Sequence, residues 1–352
     1  LHGEQRVADP TRQCNATTHG SGRSFPVALE HIRLPDFLGI SVPSPDDVNI
    51  LLMYSTHDPS EGHRHRLEGL GSGIQVSMAS EESEAIALTE RTDAILGHRY
   101  LRQSLPAAQR LQWVQSTAGG VDRLPLRKLA AQDVTLTRMT IAAGDIARHA
   151  LALAWAVTRR LPEAIRRQVA GAWDKDFDWL PLPRTSIVFG TGTIGTSIAR
   201  ALKADGQNVY GVKRTRKDTQ GTPFDRFLTE REGWMQMLTE VDWCFLALPH
   251  TEETEGLFDE AAIDALGDQA VVVNVGRGET LSMSALRHAL ENGQLGGAAL
   301  DVIVPEPEGE DDPVWDTPRL LLTPYVAAHT ATRAGKIERF CEAQVQRFLN
   351  DE

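Results

Sequence analysis

The feature that most constrains this chain is the hexapeptide Gly190-Thr191-Gly192-Thr193-Ile194-Gly195. It follows the apolar run 186–189 directly and opens a helix-like stretch that continues toward Ala204. Glycines at this spacing between a strand and a helix have separate physical duties. The first allows a tight turn, the second lets the backbone approach a pyrophosphate, and the third permits close packing of helix on strand. The helix start then presents unpaired N–H groups and a positive dipole end to phosphate oxygens. A glycine-rich turn without a ligand is the plain alternative, and the strand before it and the helix after it argue against that alternative.

Apolar runs on both sides of the turn repeat one alternation. Residues 48–54, 74–78, 93–97, 111–117 and 134–139 are short apolar runs separated by helix-like segments such as 61–70. This pattern predicts a small parallel sheet covered by helices. A second series at 186–189, 208–212, 243–248, 270–275, 297–302 and 320–323 predicts six strands of a doubly wound sheet. Between the two series, apolar residues recur at helical spacing from Ile146 to Trp155, with Pro162 and Gly171 beyond, as in a connecting helix. The tail from Thr330 sets Ile337, Phe340, Cys341, Val345, Phe348 and Leu349 on one helical stripe, which needs a surface to cover. Residues 1–46, rich in Gly, Pro, Ser and Thr without period, read as an irregular extension.

At 352 residues the chain is long enough for about two domains. Its 36 Lys and Arg against 48 Asp and Glu leave a net charge of -12, which repels phosphate backbones and anionic membranes. Nucleic acid and membrane are therefore not expected partners. No stretch approaches about 18 uninterrupted apolar residues, and the N-terminal segment lacks a basic-then-apolar signal pattern, so a cytoplasmic protein is expected. The chain opens on Leu1, so further sequence upstream is expected. Cys14, Cys244 and Cys341 are odd in number and have no zinc-ligand spacing, which reads as reduced thiols and no metal site. His63 and His65, on a charged helical segment, read as solvated.

An NAD preference would call for an acidic residue about 20 positions beyond the glycine turn, accepting from the ribose 2′-hydroxyl. Lys213-Arg214-Thr215-Arg216 occupies that place. Three cations and a hydroxyl suit a 2′-phosphate through charge-assisted hydrogen bonds. NADP(H) is the expected cofactor, with NAD(H) possible; a merely solvated basic cluster is the alternative.

Four other segments carry chemistry: Trp113-Val114-Gln115-Ser116-Thr117-Ala118-Gly119-Gly120-Val121-Asp122; Leu248-Pro249-His250-Thr251-Glu252-Glu253-Thr254; Asn274-Val275-Gly276-Arg277-Gly278-Glu279; and Gly297-Ala298-Ala299-Leu300-Asp301-Val302, followed by Glu306-Pro307. With the glycine turn, and in this order over residues 48–350, they resemble the D-isomer-specific 2-hydroxyacid dehydrogenases, particularly the glyoxylate and hydroxypyruvate reductase branch. The resemblance implies a Rossmann-type dinucleotide domain, 144–326, inserted into a smaller flavodoxin-like α/β substrate domain, 1–143 plus 327–352. It also implies an oxidoreductase acting on a small 2-oxoacid, and a homodimer joined through the dinucleotide domain and residues 145–173.

Carried over to this sequence, Arg277 grips the substrate's carboxylate and carbonyl. A guanidinium offers paired donors to a carboxylate, and its fixed charge stabilises an oxyanion developing as hydride arrives. Backbone N–H groups of Gly119 and Gly120 complete the carboxylate site, where a Cβ would obstruct close approach. Leu248, Pro249, Thr254 and Val275 lie beside the cofactor. Asp301 resembles the residue near the nicotinamide carboxamide, although a strand-end Asp is also a common turn cap.

One position departs from the pattern. In the family, Glu306 would orient a histidine of a Thr-Pro-His sequence, but here Thr323-Pro324 is followed by Tyr325. Three readings stand. Tyr325 is itself the proton donor, with a nearby Glu306 opposing phenolate formation. His329 reaches in from one helical turn further on. Or the chemistry is lost, and the chain is an NADP-binding regulatory protein.

Overall fold

A computed structural model describes residues 47–215 and 218–350, so the N-terminal extension and Arg216 lie outside the described residues. The first sheet holds β1 (Val48–Met53), β2 (Ile74–Met78), β3 (Ala94–Gly97), β4 (Trp113–Gln115) and β5 (Thr135–Thr137). Helices α1 (Glu61–Glu68), α2 (Glu82–Thr89), α3 (Leu101–Ser104) and α4 (Leu126–Ala131) alternate with them. The strands are parallel in the order β2-β1-β3-β4-β5, the flavodoxin-like order.

Helices α5 (Ala143–Thr158) and α6 (Leu161–Val169) lead to the second sheet. Its strands are β6 (Thr185–Phe189), β7 (Asn208–Val212), β8 (Arg226–Leu228), β9 (Trp243–Leu246), β10 (Val271–Asn274), β11 (Gly297–Leu300) and β12 (Leu320–Leu322). Helices α7 (Thr193–Ala204), α8 (Arg231–Leu238), α9 (Glu260–Asp264) and α10 (Met283–Glu291) complete the crossovers. The order β12-β11-β10-β9-β6-β7-β8 changes direction between β6 and β9, the switch point where such sheets bind ligands. Seven strands stand where six were expected. The addition, β8, is a three-residue edge strand beginning with Arg226, too short to show a period.

Both sheets are sandwiched between helices, so their central strands carry unbroken apolar runs. β3, β9, β10 and β11 are buried along their whole length. Alternation splits each strand between two cores: Ile50 and Leu52 enter one, Leu51 and Met53 the other. The connector α5 lays Ala147, Ala150, Leu153, Ala154 and Val157 against Ile198, Ala199 and Leu202 of α7. The chain then returns: α11 (Arg333–Leu349) places Ile337, Phe340, Cys341 and Val345 in the core of β1, and Phe348 stacks on Trp113 at 5.0 Å. The stripe in the tail thus covers the first sheet, as its apolar face requires.

The same return corrects the reading of His63. Its ring is buried, held between the Tyr54 hydroxyl and the Glu342 carboxylate, each at 2.7 Å. Glu342 comes from α11, 279 positions away, so nothing local in the sequence marks this histidine as internal.

Candidate active site

The glycine turn has the geometry its spacing demands. Gly190 has φ of +90°, and a Cβ there would lie 2.6 Å from the Ala247 carbonyl oxygen. A Cβ on Gly195 would collide with the Gly190 carbonyl, so the third glycine is fixed by the packing of α7 on β6. Gly192 differs, since a Cβ there would meet nothing within 4 Å. It caps α7 without a side chain and leaves open space at the helix start, which suits a pyrophosphate. Thr191 and Thr193 tie the turn down: their carbonyls accept from the Thr196 and Ser197 hydroxyls. Ile194 packs against the core beneath α7.

The basic cluster follows β7. Lys213 lies over the Phe227 ring at 4.8 Å, Arg214 pairs with Glu253 at the surface, and Thr215 is exposed. A pair as exposed as Arg214 with Glu253 contributes little stability, so the guanidinium can be drawn to a phosphate at small cost. The loop after β9 is self-contained, with the Thr254 hydroxyl donating to Pro249 O at 2.6 Å and accepting from Thr251 N at 2.9 Å. Its base, at Leu248, backs Gly276, where a Cβ would lie 2.7 Å from the Leu248 backbone. The Val275 side chain is buried in the core, which leaves only its backbone to face a ligand.

Arg277, just beyond β10, reaches across to the loop after β4. Its Nε and Nη2 donate to Asp122 at 3.1 and 3.0 Å, and its Nη1 donates to Gly276 O at 2.8 Å. A Cβ on Gly120 would collide with Nη2, so the glycine is what lets the two units meet here. Gly119 has a similar constraint, with the Met139 carbonyl 3.2 Å from its missing Cβ. Asp122 grips one edge of the guanidinium and leaves a donor on each terminal nitrogen uncommitted, an arrangement suited to a second carboxylate. Burial raises the Asp122 carboxyl, but the hydrogen bonds and charge of Arg277 outweigh it and hold the group below the usual carboxylate range. Burial pulls Arg277 down in turn, and the Asp122 hydrogen bonds, with the charges of Tyr325, Asp122 and Glu279, carry it above its ordinary value.

Tyr325 stands on a tight turn after β12. Its φ is +55°, a left-handed conformation unusual for a bulky residue, and its side chain is 60% exposed. Asp301 builds that turn: its buried carboxylate accepts from Thr323 Oγ1 at 2.6 Å and from the N–H groups of Val326 and Ala327 at 2.9 Å. Of the two roles the sequence left open, the cap is the one with hydrogen bonds to support it. Two expectations about this turn need correction. Glu306 is exposed and has no hydrogen bond or ion pair among the described residues, and the charged groups coupled to Tyr325 are Arg277 and Arg333. His329 is exposed and lies ahead of α11, in non-helical chain, so the one-turn argument for it does not apply.

The geometry agrees with comparison to known proteins. The family model for the D-isomer specific 2-hydroxyacid dehydrogenase NAD binding domain matches residues 151–327. The chain belongs to this family. An uncharacterized protein in the mprR 3′ region of Streptomyces coelicolor is 37% identical over 225 residues, covering 63% of this chain and 79% of that protein. A crystal structure of a D-isomer specific 2-hydroxyacid dehydrogenase family protein from Aeromonas salmonicida has a TM-score of 0.72 at 27% identity, covering 87% of this chain and 97% of that one. The NADPH-dependent glyoxylate/hydroxypyruvate reductase of Sinorhizobium meliloti, solved with NADP and malonate, has a TM-score of 0.68 at 25% identity, covering 85% and 93%. The chain is thus an NAD(P)-dependent oxidoreductase of the 2-hydroxyacid and 2-oxoacid class.

Within this dehydrogenase fold, sequence reasoning missed two residues. Asp122 lay inside the quoted loop motif, yet its pairing with Arg277 spans 155 positions. His149 of α5 carried no signal at all. It is half-buried, bonds Thr323 Oγ1 at 3.1 Å and lies 3.5 Å from Asp301 Oδ1, buttressing the turn that presents Tyr325. Among the described residues no cluster of His, Cys, Asp or Glu could hold a metal, and no helix is long and apolar enough to cross a membrane.

Proposed function

We propose that this dehydrogenase reduces a small 2-oxoacid, of the glyoxylate or hydroxypyruvate kind, to the D-2-hydroxyacid with NADPH. The observation that carries the reading is the meeting of Arg277 with Gly120 and Asp122, which fixes the guanidinium beside the glycine loop with donors left over for a second carboxylate. When bound, the nicotinamide supplies the hydride to C2 of the oxoacid. Arg277 holds the carboxylate and carbonyl with its uncommitted donors, and the Gly119 and Gly120 N–H groups assist. Its fixed charge stabilises the oxygen as negative charge develops. The Tyr325 hydroxyl gives its proton to that oxygen, completing the alcohol. Asp301 and His149 hold the turn that presents the phenol.

NADP(H) is the preferred cofactor on this reading, through Lys213, Arg214, Thr215 and Arg216, with the Rossmann unit taken as 144–326 and the substrate unit as 1–143 plus 327–352. A homodimer through residues 145–173 is supported by exposed apolar side chains there: Leu161, Ile165, Val169 and Trp173, the last two 84% and 93% exposed. Free, buried Cys244 and Cys341 suit a cytoplasmic setting. The discriminating experiment is NADPH consumption, followed by absorbance, across a panel of 2-oxoacids and pH values. Consumption with at least one of them is expected. A second reading, a non-catalytic NADP-binding regulator, draws on the unpartnered Glu306, which has lost the family's histidine; no consumption with any 2-oxoacid would favour it.

A further inference from the structure

Arg333, the first residue of α11, has a guanidinium with no hydrogen bond, ion pair or ring contact among the described residues, and its Nε is buried without an acceptor. A guanidinium brings a permanent charge and five donors. The residue is half-buried, and its Nε, withdrawn from water without an acceptor, costs free energy that an anionic ligand can offset. Its position is informative. Arg333 lines a small cavity with Met139, Ala142, Asp145, Ala328 and Lys336. Met139 belongs to the carboxylate loop's surroundings, its N–H donating to Ala118 O at 3.2 Å while its carbonyl backs Gly119. Ala328 lies just beyond Tyr325 in the chain, and the Tyr325 phenol is coupled to both Arg333 and Arg277.

The charges facing Arg333 do not satisfy it. Asp145, the acid on that wall, is already held by Lys336 at 2.8 Å and Arg148 at 3.0 Å. His57, facing Arg333 from the loop after β1, is pushed toward its neutral form by burial. The result is an uncompensated cation beside the candidate active site, within a chain whose net charge is -12.

We propose that Arg333 is a second anion-binding residue of the cleft and that the preferred substrate is a 2-oxodicarboxylate, its C1 end on Arg277 and its far carboxylate on Arg333. The proposal rests on the 2-oxoacid reading above for its chemistry and replaces the short uncharged end of glyoxylate or hydroxypyruvate with one that carries a carboxylate. A charge-assisted pair of this kind sets a large difference between substrates with and without the second charge.

The test compares oxaloacetate and 2-oxoglutarate with pyruvate and glyoxylate. In the parent, kcat/KM for at least one dicarboxylate should exceed that for pyruvate by about tenfold or more. Arg333→Met should raise KM for the dicarboxylate at least about tenfold more than KM for pyruvate, and Arg333→Lys should recover part of the loss. Calorimetric titration of the NADP-loaded protein with 2-oxoglutarate reads the same site without turnover, and circular dichroism checks that each variant is folded. Reduction of pyruvate and glyoxylate with no dicarboxylate preference would overturn the proposal and leave the reductase reading standing. Absence of any turnover, with 2-oxoglutarate binding that weakens about tenfold or more in Arg333→Met, would keep the anion site and sink the reductase. Neither turnover nor binding would remove both.

Discussion

The turn at Gly190 and the turn at Tyr325 both put a residue at positive φ, +90° and +55°, at the end of a strand of the same sheet. They solve that problem in opposite ways. At Gly190 the strain is avoided, because glycine has no Cβ to object, and the functional groups are backbone N–H groups that any sequence would provide. At Tyr325 a bulky side chain is kept in a conformation costing on the order of 1–3 kcal/mol, and the surroundings enforce it. Asp301 contributes two backbone caps and a hydroxyl bond, and His149 supports the same threonine. Chemistry that uses backbone can relax its backbone; chemistry that uses one side chain has to hold that side chain in place.

Arg277→Ala should produce the largest effect, because it removes the cation common to substrate binding and oxyanion stabilisation. Reduction of the 2-oxoacid should fall by on the order of 10³, with NADPH affinity little changed. Near-normal steady-state turnover in the variant would make Arg277 structural and displace the site. Asp301→Ala attacks the Tyr325 turn alone. Its loss leaves the N–H groups of Val326 and Ala327 unpaired and frees the phenol from its position, so turnover should drop by up to about 10² while fluorescence titration finds NADPH binding intact. Loss of cofactor binding instead would return Asp301 to a role at the nicotinamide.

Gly195→Ala attacks the other turn. A Cβ there strikes the Gly190 carbonyl, so stability should fall by about 1–3 kcal/mol in denaturant melts, with cofactor affinity falling alongside. A silent substitution would mean that α7 can shift away from β6 freely. The smallest effect concerns cofactor choice. NADPH should bind about tenfold tighter than NADH, and replacing both Arg214 and Arg216 by Ala should erase most of the difference. Equal dissociation constants in the parent protein would leave the basic cluster a surface feature.

The two turns also differ in how far they could be read from sequence. Gly190 and Gly195 announce themselves because each is dictated by a local backbone demand, and β9, β10 and β11 because strands buried on both faces need unbroken apolar runs. β8 stayed hidden because three edge residues set no period. Arg277 was legible from its place at the carboxyl end of a strand, whereas its fixing by Asp122 depends on how two sheets meet across 155 positions. The same holds for His149, whose bond to Thr323 spans 174 positions, and for His63 under α11. Glu306 was assigned by analogy with a histidine that this chain lacks, and His329 was offered on a helical spacing that the non-helical chain there does not provide; with Tyr325 in the histidine's place, the phenol's charged neighbours are arginines.

The central claim is that the Tyr325 hydroxyl donates the proton, and the rate of NADPH oxidation by Tyr325→Phe at saturating 2-oxoacid tests it most directly. The substitution removes one oxygen and leaves the ring. Removing a positioned acid should lower turnover by about 10² to 10⁴ with the NADPH dissociation constant unchanged, and Tyr325→His, whose imidazole gives and accepts a proton near neutrality, should raise oxidation of the 2-hydroxyacid near pH 7. Unchanged turnover in Tyr325→Phe would contradict the account and pass the proton to another group of the cleft.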